Sequence, residues 1–120
     1  MALAVLGHAP AVWAHARMVR AVPENKAQLA RSPEQVDLWF NELLDESFNT
    51  VEVYPSNQVD VQPRADLVAG PAQLDAKDRT HITVRLQPLP PGEYVVEWRV
   101  LSRDGHSAPG RLRFRVTGGK

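Results

Sequence analysis

A chain of 120 residues with 14 basic and 14 acidic side chains has no formal net charge and no block of like charge, which excludes the clustered Lys/Arg footprint of a nucleic-acid or anionic-membrane binder. Cysteine is absent, so disulfides, thiolate metal centres and cysteine nucleophiles are excluded with it. A hydrophobic content of 43% suffices for one core, and one domain is the expectation at this length.

Residues 1–14 (MALAVLGHAPAVWA) hold no charged side chain apart from any charge on His8. The run is too short to cross a bilayer, which takes about 20 residues. It reads as the end of a secretory signal, with an apolar core, a break at Pro10 and small residues Val12 and Ala14 ahead of a cut, although it lacks a basic opening. Residues 1–14 are therefore expected to be a cleaved signal remnant, 15–117 the folded domain and 118–120 a tail. Cleavage after Ala14 makes His15 the mature N-terminus. An N-terminal His chelates a metal through its amine and its imidazole, and an α-amine with a pKa of about 7.7–8.0 gives up its proton readily near neutral pH.

The segment from Met18 to Val22 is short and apolar and stops at the turn cluster Pro23-Glu24-Asn25-Lys26. Ser32-Pro33 opens the next element, where Val36, Leu38 and Phe40 alternate with Gln35, Asp37 and Trp39, the period of a strand buried on one face. Residues 41–47 (NELLDES) are compatible with a helical turn or a loop. Thr50 to Val53 predicts a further strand, closed by Tyr54-Pro55-Ser56-Asn57. Residues 57–78, punctuated by Pro63, Gly70 and Pro71, predict short edge strands and loops. Ile82, Val84 and Leu86 alternate with His81, Thr83 and Arg85, which places His81 opposite the apolar face as an exposed surface residue.

Leu89-Pro90-Pro91-Gly92-Glu93-Tyr94 has the pattern of a tyrosine corner, in which the phenol bonds backbone upstream. The strand that follows contains Trp98 and Val100 in alternation and ends at Asp104-Gly105-His106. Glycine accepts the backbone angles of such a turn, so a carboxylate and an imidazole are held together at the rim of a sheet. Added to His15, they make three nitrogens and one oxygen, a donor set that suits square-planar Cu(II) better than tetrahedral Zn(II). In the last strand Leu112, Phe114 and Val116 alternate with Arg111, Arg113 and Arg115, and the Arg face reads as a solvated sheet surface. About seven short strands separated by turns predict an all-β, antiparallel Greek-key β-sandwich. A Ser-His-Asp catalytic reading of Ser102, His106 and Asp104 fails, because this Asp and His share one turn and would have to leave the metal.

From His15 onward the chain resembles the CopC family of periplasmic copper-binding proteins. The likeness runs through His15-Ala16, Val22-Pro23, Leu29, Ser32-Pro33, Val36-x-Leu38-x-Phe40-x-Glu42 and Pro91-Gly92-x-Tyr94. It finishes with Trp98-Arg99-Val100-x-Ser102-x-Asp104-Gly105-His106 and Gly110-x-Leu112-x-Phe114-x-Val116. The Trp98–His106 segment together with an N-terminal His is the specific part. The resemblance implies a cupredoxin-like or immunoglobulin-like sandwich, export to the periplasm, and one Cu(II) held by His15, Asp104 and His106. Glu42 matches an acidic position near that site and is carried as an outer or variable ligand. The family's second, Cu(I) site uses a Met-rich loop. Here Met1 and Met18 are the only methionines, so soft thioether ligands are missing and a Cu(II)-only member is expected. The function implied is copper sequestration, delivery or resistance by a monomer, beside a CopD-like membrane copper transporter on a separate chain. The alternative is a copper-dependent oxidative enzyme of the polysaccharide monooxygenase type, which also binds its metal through an N-terminal His brace. A carboxylate in the copper plane disfavours it, because a hard, charged ligand stabilises Cu(II) against reduction.

Overall fold

Side chains alternate between apolar and polar along much of the strand sequence, clearly in Gln35–Phe40, His81–Arg85 and the second half of Ser107–Val116, and the apolar sets of two sheets meet to form the core. The computed structural model describes residues 17–118. The expected signal remnant, His15, Ala16 and the last two residues of the expected tail lie outside them. Eight strands are seen among the described residues: β1 Met18–Val22, β2 Ala27–Leu29, β3 Gln35–Phe40, β4 Thr50–Pro55, β5 Gln73–Leu74, β6 His81–Arg85, β7 Gly92–Leu101 and β8 Ser107–Val116. One sheet has the order β1-β3-β6-β5 and the other β2-β8-β7-β4, giving the sandwich expected from the strand spacing. The first sheet contributes Val36, Leu38, Phe40, Ile82 and Val84 to the core. The second contributes Val53, Val96, Trp98, Val100, Leu112, Phe114 and Val116.

The neighbours within each sheet are antiparallel with one exception, since β2 runs parallel to β8, pairing Ala27 with Phe114 and Leu29 with Val116. The predicted turn after β1 is present, and its Lys26 amide donates to the Arg113 carbonyl at 2.6 Å, which steers the chain onto the edge of the second sheet. Residues 41–47 form a loop with a single bridge, Leu44 to Ser102. Within 57–78, a short 3-10 turn at Ser56–Gln58 and the two-residue β5 are the regular elements, and Val68 bridges to Leu86. Arg64 ties this loop down. Its guanidinium lies 3.8 Å from the centre of the Tyr54 ring and bonds Glu52 at 2.9 Å and Glu97 at 3.2 Å. The Tyr94 hydroxyl donates to the Pro90 carbonyl, the tyrosine corner read from the sequence.

His81 differs from its expectation. It does point away from the core, but its ring is stacked on Trp39 with 4.4 Å between centroids and its side chain keeps only 16% of its exposure. Outward on a sheet is not the same as solvated when an aromatic neighbour and two carboxylates, Asp37 on β3 and Asp75 just past β5, cover the position.

β7 and β8 form the longest pairing, from Gly92↔Val116 to Leu101↔Ser107, and the core depends on how they pack. Trp98 faces Gly110 across this pair, and its ring fills the space a side chain would occupy. A Cβ at Gly110 would come within 2.4 Å of Trp98 Cζ2. Gly110→Ala is therefore expected to cost about 1–3 kcal/mol through overpacking, read as a lower denaturant midpoint with an unchanged m-value. An unaltered midpoint would show that Trp98 moves aside freely.

Candidate metal centre

The turn that joins β7 to β8 is closed by its own backbone. Ser102 N–H donates to the His106 carbonyl and Gly105 N–H to the Ser102 carbonyl, each at 2.9 Å. Gly105 takes φ +95°, where a Cβ would strain the chain. Ser102 is fully buried, and its hydroxyl serves both ligand candidates. It donates to Asp104 Oδ1 and accepts from the His106 amide at 3.2 Å. A serine in this position splints the turn from beneath, so that Asp104 and His106 emerge side by side.

The two side chains face each other with His106 Nδ1 3.2 Å from Asp104 Oδ1, and each is about half exposed, at 51% and 52%. The Ser102 hydrogen bond holds the Asp104 carboxyl below the usual carboxylate range against the cost of desolvation, and the charge and hydrogen bonds of His106 push the same way. An ionised oxygen donor and an imidazole nitrogen, adjacent and open to solvent, form half of a four-coordinate site.

The β3–β4 loop lies directly against this turn. Arg103 N–H donates to the Leu43 carbonyl at 3.0 Å, Asp45 N–H to Leu101 at 2.8 Å, and Leu101 N–H to Asn49 Oδ1 at 2.9 Å. Glu42 precedes Leu43 in that loop and so stands beside the turn. Among the described residues, however, no three His, Asp or Glu side chains gather as a metal-holding group, so Glu42 is not brought into the pair. His15 lies outside the described residues. The described chain begins two residues after it, at Arg17, whose N–H donates to Asn41 Oδ1 at 2.6 Å and whose carbonyl accepts from Asn41 N–H at 3.0 Å. Asn41 is the residue before Glu42.

Asp104 and His106 stand together, as the Asp104-Gly105-His106 turn implies, whereas Ser102 reads from the sequence only as a failed nucleophile. Its positioning role was missed. The available signal was a Ser two residues before an Asp in a tight turn, the spacing at which hydroxyls and carboxylates bond locally.

The CopC domain model matches residues 18–117 of the chain. Protein YobA of Escherichia coli (strain K12) is 32% identical over 109 residues, covering 89% of this chain and 82% of that protein. The crystal structure of CopC from Methylosinus trichosporium OB3b superposes with a TM-score of 0.76 at 30% identity, over 88% of this chain and 97% of that one. PcoC, a methionine-rich copper resistance protein from Escherichia coli, gives 0.71 at 30% identity, over 87% of this chain and 100% of that one.

Because the Ser102 hydroxyl is the largest influence on Asp104, its removal has a defined sign. In metal-free protein, Ser102→Ala is expected to move the Asp104 titration upward, toward the ordinary value of 3.8, as read from side-chain carboxyl 13C shifts. An unmoved titration would mean that the serine does not hold this carboxylate in solution.

Proposed function

This chain belongs to the CopC family, and on that footing we propose that it is an exported carrier holding one Cu(II) between the mature N-terminal His15, Asp104 and His106. The family is one of copper-binding resistance proteins, not of enzymes. The observation that carries the proposal is the splinted turn, which presents a carboxylate and an imidazole 3.2 Å apart at an open rim. The position of Arg17 supports the remainder. A chain spans at most about 3.3–3.6 Å per residue, so His15 has roughly 7 Å of reach from Arg17, which is fixed to Asn41 in the loop beside the turn.

Cleavage after Ala14 frees the amine, which with the His15 imidazole supplies two nitrogens from one residue. His106 supplies the third nitrogen and Asp104 the oxygen, while Glu42 stands by as an outer ligand. The charged oxygen favours the harder Cu(II) over Cu(I). PcoC is described as methionine-rich; this chain has two methionines, Met1 and Met18, and none in 58–71. The proposal is accordingly a Cu(II)-only monomer that works in the periplasm in copper storage, delivery or resistance. A CopD-like membrane transporter on a separate chain is its proposed partner.

The free amine separates this site from any ordinary surface histidine cluster. Protein beginning at His15 is compared with the same protein carrying one extra Gly before His15, which converts the amine to a peptide nitrogen and leaves every side chain in place. Cu(II) affinity is expected to fall about 100-fold or more, roughly 2.8 kcal/mol, as severely as in His15→Ala, because both a donor and the chelate's proximity are lost. The electron paramagnetic resonance spectrum is expected to change with it. Equal affinity and an identical spectrum would exclude the amine as a ligand.

A further inference from the structure

On the outer face of the first sheet, His81 is held between two carboxylates from different segments. Its Nε2 lies 2.7 Å from Asp37 Oδ1 on β3, and its Nδ1 lies 3.0 Å from Asp75 Oδ2, just past β5. The ring is parallel to Trp39 within 7°, and the Arg20 guanidinium from β1 sits 4.3 Å from the Trp39 ring centre. An ionised carboxylate only accepts hydrogen bonds, and a neutral imidazole has one N–H to give. Both contacts can be hydrogen bonds at once only when the ring is an imidazolium.

We propose that His81 is a proton-operated clamp that fastens the β5 edge of the first sheet when charged and releases it when neutral. β5 needs such a fastening. It is two residues long, pairing Gln73 with Thr83 and Leu74 with Ile82, and it is continued by one further bond, from Asp75 N–H to the His81 carbonyl at 3.0 Å. The chain leading into it, Val68, Gly70, Pro71 and Ala72, walls a groove of about 560 Å³ against β4 and β7. Releasing β5 frees that wall.

The charges around the ring agree on the direction. Asp37 faces it from β3, Asp75 from the end of β5, and Asp78 from the turn whose carbonyl accepts His81 N–H. Arg20 lies beyond Trp39, and Arg85 lines the same hollow farther along β6. Desolvation disfavours a charge on His81, but its bonds to Asp75 and Asp37 outweigh this and hold its pKa above 6.5. Asp37 is lowered in spite of its own desolvation, by bonds from Gln35, His81 and Thr83, and Asp75 is lowered chiefly by the His81 bond. A raised histidine stabilises fully below its unfolded value and loses that contribution as pH climbs through its folded value. Lowered carboxylates stabilise above 3.8 and lose that contribution as pH falls through their folded values. The clamp is therefore closed between about pH 4 and 6.5 and opens above, once His81 titrates. Asp75 lets go first, being the longer contact and the more exposed carboxylate, at 34% against 15% for Asp37.

The test follows the His81 ring nitrogens by 15N NMR and the Asp75 amide by hydrogen exchange, corrected for the intrinsic rate, from pH 5.5 to 9, in the natural protein and in Asp75→Asn. Both ring nitrogens are expected to be protonated at pH 6.5. Protection of the Asp75 amide is expected to fall about tenfold per unit of pKa separation across the His81 titration, while the Val96 and Leu112 amides of the second sheet, paired between β7 and β8, keep theirs. In Asp75→Asn the His81 titration is expected to move down and the step in amide protection to disappear. A ring with one proton at pH 6.5, or β5 protection that does not change through the titration, would overturn the clamp.

Discussion

The pairing of β7 with β8 is the constraint on which both the core and the candidate centre rest. It runs unbroken from Gly92↔Val116 to Leu101↔Ser107, in the middle of the second sheet. Tyr94, Val96, Trp98 and Val100 from one strand and Leu112, Phe114 and Val116 from the other are buried by it. A slip of one residue would turn all of these to the opposite face, so burial locks the register. The locked register in turn fixes where the connecting turn falls. Asp104 and His106 thus owe their position to apolar side chains well away from them. Ser102, fully buried at the end of β7, carries that rigidity into the turn.

The first sheet reaches the same end of the molecule through the β3–β4 loop. Phe40 N–H donates to the Thr80 carbonyl and Leu44 N–H to Arg79, both at 2.9 Å, while Asp45 and Arg103 join the loop to the β7–β8 turn. β1 lies beside β3, with Met18 paired to Phe40, so the start of the described chain arrives at this loop. A ligand set drawn from a chain start and a distant hairpin is the kind of arrangement this topology allows. The proposed parts are far apart in sequence, and a shared end of the two sheets is what would bring them together.

The strands legible in the sequence were those long enough to show a period. Val36-Leu38-Phe40, Ile82-Val84 and Leu112-Phe114-Val116 all alternate, and each is buried on one face as the pattern requires. β2 and β5 were not legible as particular strands, because two or three residues cannot display a period and their pairing is decided by partners elsewhere. The parallel match of β2 with β8 is a tertiary fact of this kind. At the candidate centre, Asp104 and His106 were visible because glycine between them marks a turn. The work of Ser102 was not, because a buried hydroxyl is recognised only by what surrounds it. His81 shows the same limit from the other side: alternation placed it outside the core correctly, but the cover provided by Trp39, Asp37 and Asp75 comes from residues remote in sequence.

The most direct measurement is a crystal structure of the protein beginning at His15, loaded with one equivalent of Cu(II), with anomalous scattering recorded at the copper edge. One strong anomalous peak is expected at the β7–β8 turn, within bonding distance of the His15 amine and imidazole, the Asp104 carboxylate and the His106 ring. A peak that lies elsewhere, or one at the turn that His15 does not touch, would contradict the copper site proposed for this chain.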